Sequence, residues 1–170
     1  IPIDVKEAAK YYKSAADKGH IDATFVYGTM LDEGDGVSMD KNMAAQYYKS
    51  AADRGQIDAM YNYAIFLDNG IGGTVDIKQA AKYYKSAADK GQIESTFNYA
   101  VMLEEGFGVM IDKKMAAKYY KTAADAGYVK AMHNYAVMMD EGSGVRKNKK
   151  EAAKYYKMAA DNGNDRAILL

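Results

Sequence analysis

The chain has 170 residues, 49% of them apolar and 27% charged, with 23 basic and 23 acidic side chains that balance to zero, and no cysteine. The missing thiols exclude a disulfide framework and a thiolate metal site, and point to a reducing, cytoplasmic compartment. No apolar run approaches the ~20 residues of a membrane-spanning helix, and no secretory leader opens the chain. It starts on Ile1-Pro2 and stops at Leu170 in mid-repeat, so it reads as a piece cut from a longer protein.

In chain order, the tandem tyrosines Tyr11-Tyr12, Tyr47-Tyr48, Tyr83-Tyr84, Tyr119-Tyr120 and Tyr155-Tyr156 recur at a constant step of 36 residues. A fixed period of this size is the mark of a solenoid, in which each unit buries its apolar face against the next. Asp4 opens the first unit as a helix N-cap, with Glu7 placed to close a capping box. Asp40, Asp76, Asp112 and Asn148 repeat the cap, and Gln79 and Glu151 repeat the box. The helix is expected to stop at Gly19, and its equivalents at Gly55, Gly91, Gly127 and Gly163, where a left-handed residue is inexpensive only for glycine. Between them, Ala8, Tyr11, Tyr12, Ala15 and Ala16 share one face, opposite Lys10, Lys13 and Asp17.

A second helix follows each first one, over Asp22 to Glu33, Asp58 to Asn69, Glu94 to Glu105 and Lys130 to Glu141. Gly28, Ala64, Ala100 and Ala136 keep one position small, which suits close helix packing. Glycine pairs such as Gly34-Asp35-Gly36 and Gly142-Ser143-Gly144 close each unit with a flexible turn that leads to the next cap. Nothing reads as a strand.

The pattern Ala-x-x-Tyr-Tyr-x-x-Ala-Ala-x-x-Gly, followed by Ala-x-x-x-Tyr-[Gly/Ala]-x-x-Leu-x-x-Gly-x-Gly-Val, resembles the Sel-one-like repeat family, a branch of the tetratricopeptide-like α-solenoids. Tyr27, Tyr63, Tyr99 and Tyr135 stand where that family more often has leucine, a swap that conserves volume with Leu31, Leu67, Leu103 and Met139. The resemblance implies an all-α fold, an α-solenoid (right-handed superhelix) of 36-residue helix-turn-helix repeats forming one domain over residues 1–170. It makes the Tyr-Tyr helix the outer one and the second helix the inner, concave one. The chain would then hold a lone outer helix at 5–18, helix pairs at 22–54, 58–90, 94–126 and 130–162, and an inner-helix stub at 165–170.

Charge divides along the same line. The four inner segments carry −10 and the five outer segments +10, so neutrality conceals two opposed surfaces. Asp32, Asp68, Glu104 and Asp140 sit at inner-helix C-termini, where carboxylates oppose the helix dipole, so helix stability does not explain them. They belong either to a solvated rim or to an acidic groove that attracts a basic partner. On the same arc Phe25, Tyr61, Phe97 and His133 form one row and Thr29, Ile65, Val101 and Val137 a second, both facing the concave side in the family's architecture. Apolar rows rimmed by charge mark interaction surfaces, although the same side chains could pack between inner helices. Asn62, Asn98 and Asn134 add a ladder suited to holding a peptide backbone or to bonding one repeat to the next.

Chemistry by the chain itself is not expected. His20 and His133 are the only histidines, no metal-ligand spacing occurs, and the acids recur with the repeat rather than forming one singular pair. No cofactor is implied. The Gly-x-Gly turns lack the strand and the Gly-Lys-Ser/Thr of a phosphate loop. An acidic inner face repels a phosphate backbone, which argues against nucleic acid, and the lysine-rich outer face reads as solvated rather than membrane-bound. The expected function is a non-enzymatic adaptor whose concave face takes a protein or peptide, basic in character. Two alternatives stand beside it: a spacer that associates end to end, and a consensus-like array with no evolved ligand.

Overall fold

The structure, a computed structural model, describes residues 4–163. The stub expected at 165–170 lies outside them. Among the described residues there are nine α-helices and no strand: α1 (Val5–Asp17), α2 (Ile21–Glu33), α3 (Lys41–Asp53), α4 (Ile57–Asn69), α5 (Ile77–Ala88), α6 (Ile93–Glu105), α7 (Lys113–Asp125), α8 (Val129–Glu141) and α9 (Lys149–Asp161). They group into two compact units, the first ending at Ala87 and the second beginning at Ala88. Within each, successive helices pack as pairs, α1 on α2 and α2 on α3 in the first, α6 on α7 and α8 on α9 in the second. Each unit is thus a short helix-turn-helix solenoid.

Local chemistry accounts for these bounds. Asp40 and Asp112 accept the amide N–H of Met43 and Met115 at 2.9 Å, and Asn148 accepts that of Glu151 at 3.1 Å. The expected capping box does not close. Its return arm needs the cap's own N–H, and that group is spent elsewhere: Asp40, Asp76, Asp112 and Asn148 donate to the carbonyls of Leu31, Leu67, Leu103 and Met139 at 2.8–2.9 Å. The cap therefore ties each outer helix to the end of the inner helix before it. Glu7 instead accepts the Tyr11 hydroxyl at 3.3 Å, and Glu151 pairs with Lys154 at 2.8 Å.

Outer helices stop where expected, with Gly19 and Gly55 at φ 90 and 97 just past the last turn. Inner helices begin one residue earlier than the charge pattern suggests, at Ile21, Ile57, Ile93 and Val129. In two of them a glutamine caps the end, Gln56 accepting from Ala59 N–H and Gln92 from Ser95 N–H.

The core is built from alanines and tyrosines. Ala44, Ala51, Ala59, Ala64, Ala80 and Ala87 are fully buried in the first unit, as are Ala100, Ala116, Ala131, Ala136 and Ala159 in the second. At the small position, a Cβ added to Gly28 would lie 3.1 Å from both Tyr47 and Tyr48, and the alanines at the equivalent places are fully buried. Into this close-packed frame each repeat inserts two tyrosines. The first sits edge-on to an inner-helix tyrosine: Tyr27 to Tyr47 at 4.9 Å, and Tyr63 to Tyr83, Tyr99 to Tyr119 and Tyr135 to Tyr155 at 5.0 Å. Such edge contacts contribute about 0.5–1.5 kcal/mol beyond area burial. α1 is the exception, with Tyr11 69% and Tyr12 41% exposed, because no described element covers that face.

Within each unit the first tyrosine's hydroxyl also donates to an aspartate 30 residues earlier. Tyr83 donates to Asp53, Tyr119 to Asp89 at 3.2 Å and Tyr155 to Asp125 at 3.0 Å, and Asp53 and Asp125 are held in turn by Lys49 and Lys121 one turn earlier. The Lys121 and Tyr155 bonds hold the Asp125 carboxyl below its ordinary value. At Asp53, burial pushes the other way, and the bonds from Lys49 and Tyr83 outweigh it.

Candidate functional site

The four aromatic-row residues are half-buried and have one geometry. Each lies against the second tyrosine of the following outer helix: Phe25 on Tyr48 at 5.9 Å, Tyr61 on Tyr84 at 6.3 Å, Phe97 on Tyr120 at 5.7 Å and His133 on Tyr156 at 5.6 Å. One edge of the ring is therefore lodged in the repeat while the rest stays on the surface. The ring rests on a tyrosine of the Tyr-Tyr helix, a contact absent from either role considered for the row in the sequence. Thr29, Ile65, Val101 and Val137 are also half-buried one turn further on, and Thr29 Oγ1 donates to the Phe25 carbonyl at 3.3 Å.

Beyond them come the carboxylates, and here the second tyrosine returns. The Tyr48 hydroxyl donates to Asp32 Oδ2 at 3.2 Å and lies 3.4 Å from Thr29 Oγ1, while the Tyr120 hydroxyl donates to Glu104 Oε2 at 2.7 Å. From the other side, Asn62 bonds the Tyr48 hydroxyl and Asn134 the Tyr120 hydroxyl. These two asparagines spend a bond joining repeat to repeat, one of the two roles the sequence left open for the ladder. Asn98 is half-buried in the equivalent position. Asp32 is paired with Lys41 as well, and Asp140 with Lys149 at 4.0 Å. Asp68 is half-buried, and that burial holds its carboxyl above its usual value.

The first unit thus gathers Phe25, Thr29, Asp32, Tyr61, Asn62, Ile65 and Asp68 on α2 and α4. The second gathers Phe97, Asn98, Val101, Glu104, His133, Asn134, Val137 and Asp140 on α6 and α8. Phe25, Thr29 and Asn62 also line a cavity of about 540 Å3 with Val5, Tyr12 and Glu33. What sequence reasoning missed is the hydroxyl that joins the two layers. Its signal is the constant separation of 16 residues between inner acid and second tyrosine, in Asp32 and Tyr48 as in Glu104 and Tyr120.

Burial pushes the Tyr48 phenol up to about 12, and burial first, then the carboxylate each donates to, raises Tyr83 and Tyr120 further. An unfolded tyrosine ionises near 10, so the folded chain keeps these protons after the unfolded chain has lost them. Their contribution to stability is complete below about pH 10 and drains away as pH rises toward the folded values. We expect a thermal midpoint that is insensitive to these groups at neutral pH and falls above about pH 10. Tyrosinate absorbance should then rise together with loss of helical circular dichroism; ionisation with a random-coil midpoint while the helices persist would contradict it.

Among the described residues no His, Asp and Glu group is arranged to hold a metal ion, and no helix is long and apolar enough to cross a membrane. Paired helices repeating every 36 residues, with a small-residue frame and a variable inner face, define a helical-repeat protein. The Sel1 repeat pattern matches residues 1–20, 21–56, 57–92, 93–128 and 129–164, and the chain belongs to the Sel1 repeat family. Such repeats generally serve as protein-interaction scaffolds. It is similar in structure to c5321, a protective antigen of uropathogenic Escherichia coli strains with an SLR fold, at 29% identity and a TM-score of 0.94 over 98% of this chain. A Sel1 repeat protein of Oxalobacter formigenes follows at 27% identity and 0.91 over 99%. The chain spans 36% of the first protein's length and 69% of the second's. Immunity protein PA5088 of Pseudomonas aeruginosa shares the fold at 23% identity and 0.56, over 94% of this chain and 58% of that one. None of the curated proteins compared with the chain matches it.

Proposed function

We propose that the chain is a non-enzymatic adaptor that holds a basic, apolar-bearing segment of a partner protein on its inner-helix faces. The observation that carries this is the repeated juxtaposition of a half-exposed aromatic with a carboxylate two turns along the same helix: Phe25 with Asp32, Tyr61 with Asp68, Phe97 with Glu104 and His133 with Asp140. Side chains seven residues apart lie on one helix face, so each inner helix offers a ring for an apolar anchor and an acid for a cation. The opposed −10 and +10 surfaces direct an incoming basic segment to that face. The hydroxyls of Tyr48 and Tyr120 bond Asp32 and Glu104, a restraint that lowers the ordering cost of recognition.

Replacing Asp32, Asp68, Glu104 and Asp140 with lysine should reduce crosslinked capture of a partner by about 100-fold, since each reversal replaces attraction with repulsion at a contact. Lysine substitutions of equal number at Lys-facing outer positions Gln46, Ser50, Ser86 and Thr122 should leave capture intact. Crosslinking mass spectrometry on the full chain, with circular dichroism as the folding control, reads the result. Equal capture by the two variants would remove the inner face from the assignment.

A further inference from the structure

The carboxylate that ends each inner helix is not equally available in every repeat. Asp32 has Lys41 beside it and accepts the Tyr48 hydroxyl at 3.2 Å. Glu104 accepts the Tyr120 hydroxyl at 2.7 Å, and Asp140 has Lys149 at 4.0 Å. Among the described residues no hydrogen bond or ion pair reaches Asp68, and burial alone governs its proton. The sequence supplies the reason. The first residue of the following outer helix is Lys41, Lys113 or Lys149 in three repeats, and Ile77 in the one that contains Asp68.

Loss of the lysine changes what Asp68 can do. A half-buried carboxylate has surrendered part of its hydration without gaining a cation, so an ion arriving from outside meets an acid that is less screened than one on the open surface. On α4, Tyr61, Ile65 and Asp68 lie at i, i+4 and i+7, all half-buried, so an apolar strip leads directly to the charge. A long cationic side chain matches that strip, since its methylenes lie along apolar surface while its head reaches the acid. An aromatic ring at the far end adds a favourable face for a guanidinium.

We infer that Asp68 is the cation-selecting residue of the first unit, and that it receives an arginine or lysine of a partner peptide whose stem crosses Ile65 and Tyr61. This rests on the reading that the inner-helix face binds a peptide. Ile77 is part of the device: at the matching place Lys41 pairs with Asp32 and Lys149 with Asp140, and Tyr120 holds Glu104, whereas Ile77 brings no cation to Asp68, so this acid is the most open of the four to a partner's cation.

The probe is a fluorescein-labelled hexapeptide alternating leucine and arginine, compared by fluorescence polarisation with the same peptide carrying citrulline, which keeps the shape and removes the charge. The full chain should prefer the arginine peptide by about tenfold, the size expected of a partly desolvated ion pair. Asp68→Asn should abolish the preference, and so should Ile77→Lys, which supplies the cation internally at a position where three other repeats already carry lysine and fold. The preference surviving in Ile77→Lys, with circular dichroism unchanged, would overturn the inference. If both peptides bind equally and Tyr61→Ala weakens both, the peptide-binding face stands and the role of Asp68 falls. Binding of neither peptide overturns the two together.

Discussion

Tyr48→Ala should destabilise the protein by about 3–5 kcal/mol, and Tyr12→Ala at the same repeat position by less than about 1 kcal/mol. The residues are equivalent in sequence and opposite in surroundings. Tyr48 is 0% exposed, lodged between Phe25 at 5.9 Å and Phe66 at 5.2 Å, while Tyr12 is 41% exposed. Deleting the Tyr48 ring leaves a cavity that a frame of alanine contacts cannot collapse to fill, and it strips Asp32 of a donor. Tyr48→Phe separates the two effects, since it keeps the ring and should lose only about 1–2 kcal/mol. Urea unfolding followed by circular dichroism checks the series. Equal losses at positions 12 and 48 would show that the repeat, rather than the packing around each tyrosine, sets the energetics.

Because a solenoid is stabilised by nearest-neighbour contacts, that loss should remain local. Hydrogen exchange ought to quicken in α2, α3 and α4 of the first unit before any other segment, since Tyr48 touches α2 through Phe25 and α4 through Phe66.

The period, the caps, the glycine stops and the small position at Gly28 were legible because each depends on one residue type in a local conformation. Asp at a helix start and glycine at φ near 90 act through their own backbone, and the 36-residue step repeats them until chance is excluded. The failed capping box was not legible. Whether Asp76 N–H turns to the Gln79 side chain or to the Leu67 carbonyl depends on where the preceding helix passes, which is a tertiary fact.

The candidate face divides in the same way. Its membership could be read from a helical wheel, because residues seven apart share a face whatever they touch. The support beneath it could not, since the Tyr48 and Tyr120 hydroxyls reach Asp32 and Glu104 across two helices whose crossing brings groups 16 residues apart into contact. The wheel also made the four acids look alike. Lys41 beside Asp32, against Ile77 in the matching place for Asp68, separates them, and the difference acquires meaning only once the start of one helix is known to lie beside the end of another.

The Gly-x-Gly turns read as flexible joints in the sequence, and the structure makes their second glycine the opposite. Gly144 has φ +69, and a Cβ built there would lie 2.1 Å from the Lys113 carbonyl oxygen and 2.4 Å from its carbon. The turn leaving α8 is pressed against the first residue of α7, so the hairpin of α7 and α8 is sealed by backbone contact. A Cβ added to Gly36 would lie 2.4 Å from the Val5 carbonyl oxygen, and one added to Gly72 would lie 2.6 Å from that of Lys41. Gly144→Ala must therefore strain a left-handed residue and force two main-chain segments apart, and should cost at least about 3 kcal/mol. Gly127→Ala provides the control: its φ is +94, but nothing lies within 4 Å, so only the conformational strain of about 1–2 kcal/mol remains. Denaturant midpoints distinguish the two, and hydrogen exchange should show α7 and α8 losing protection together in Gly144→Ala. If the two alanines prove equally tolerated, the turn can shift away from Lys113 and the inner acids Asp140 and Glu141 that precede it are not rigidly placed; a loss confined to Gly144 means that the close approach of two backbones, more than the freedom of glycine, is what holds those acids in register.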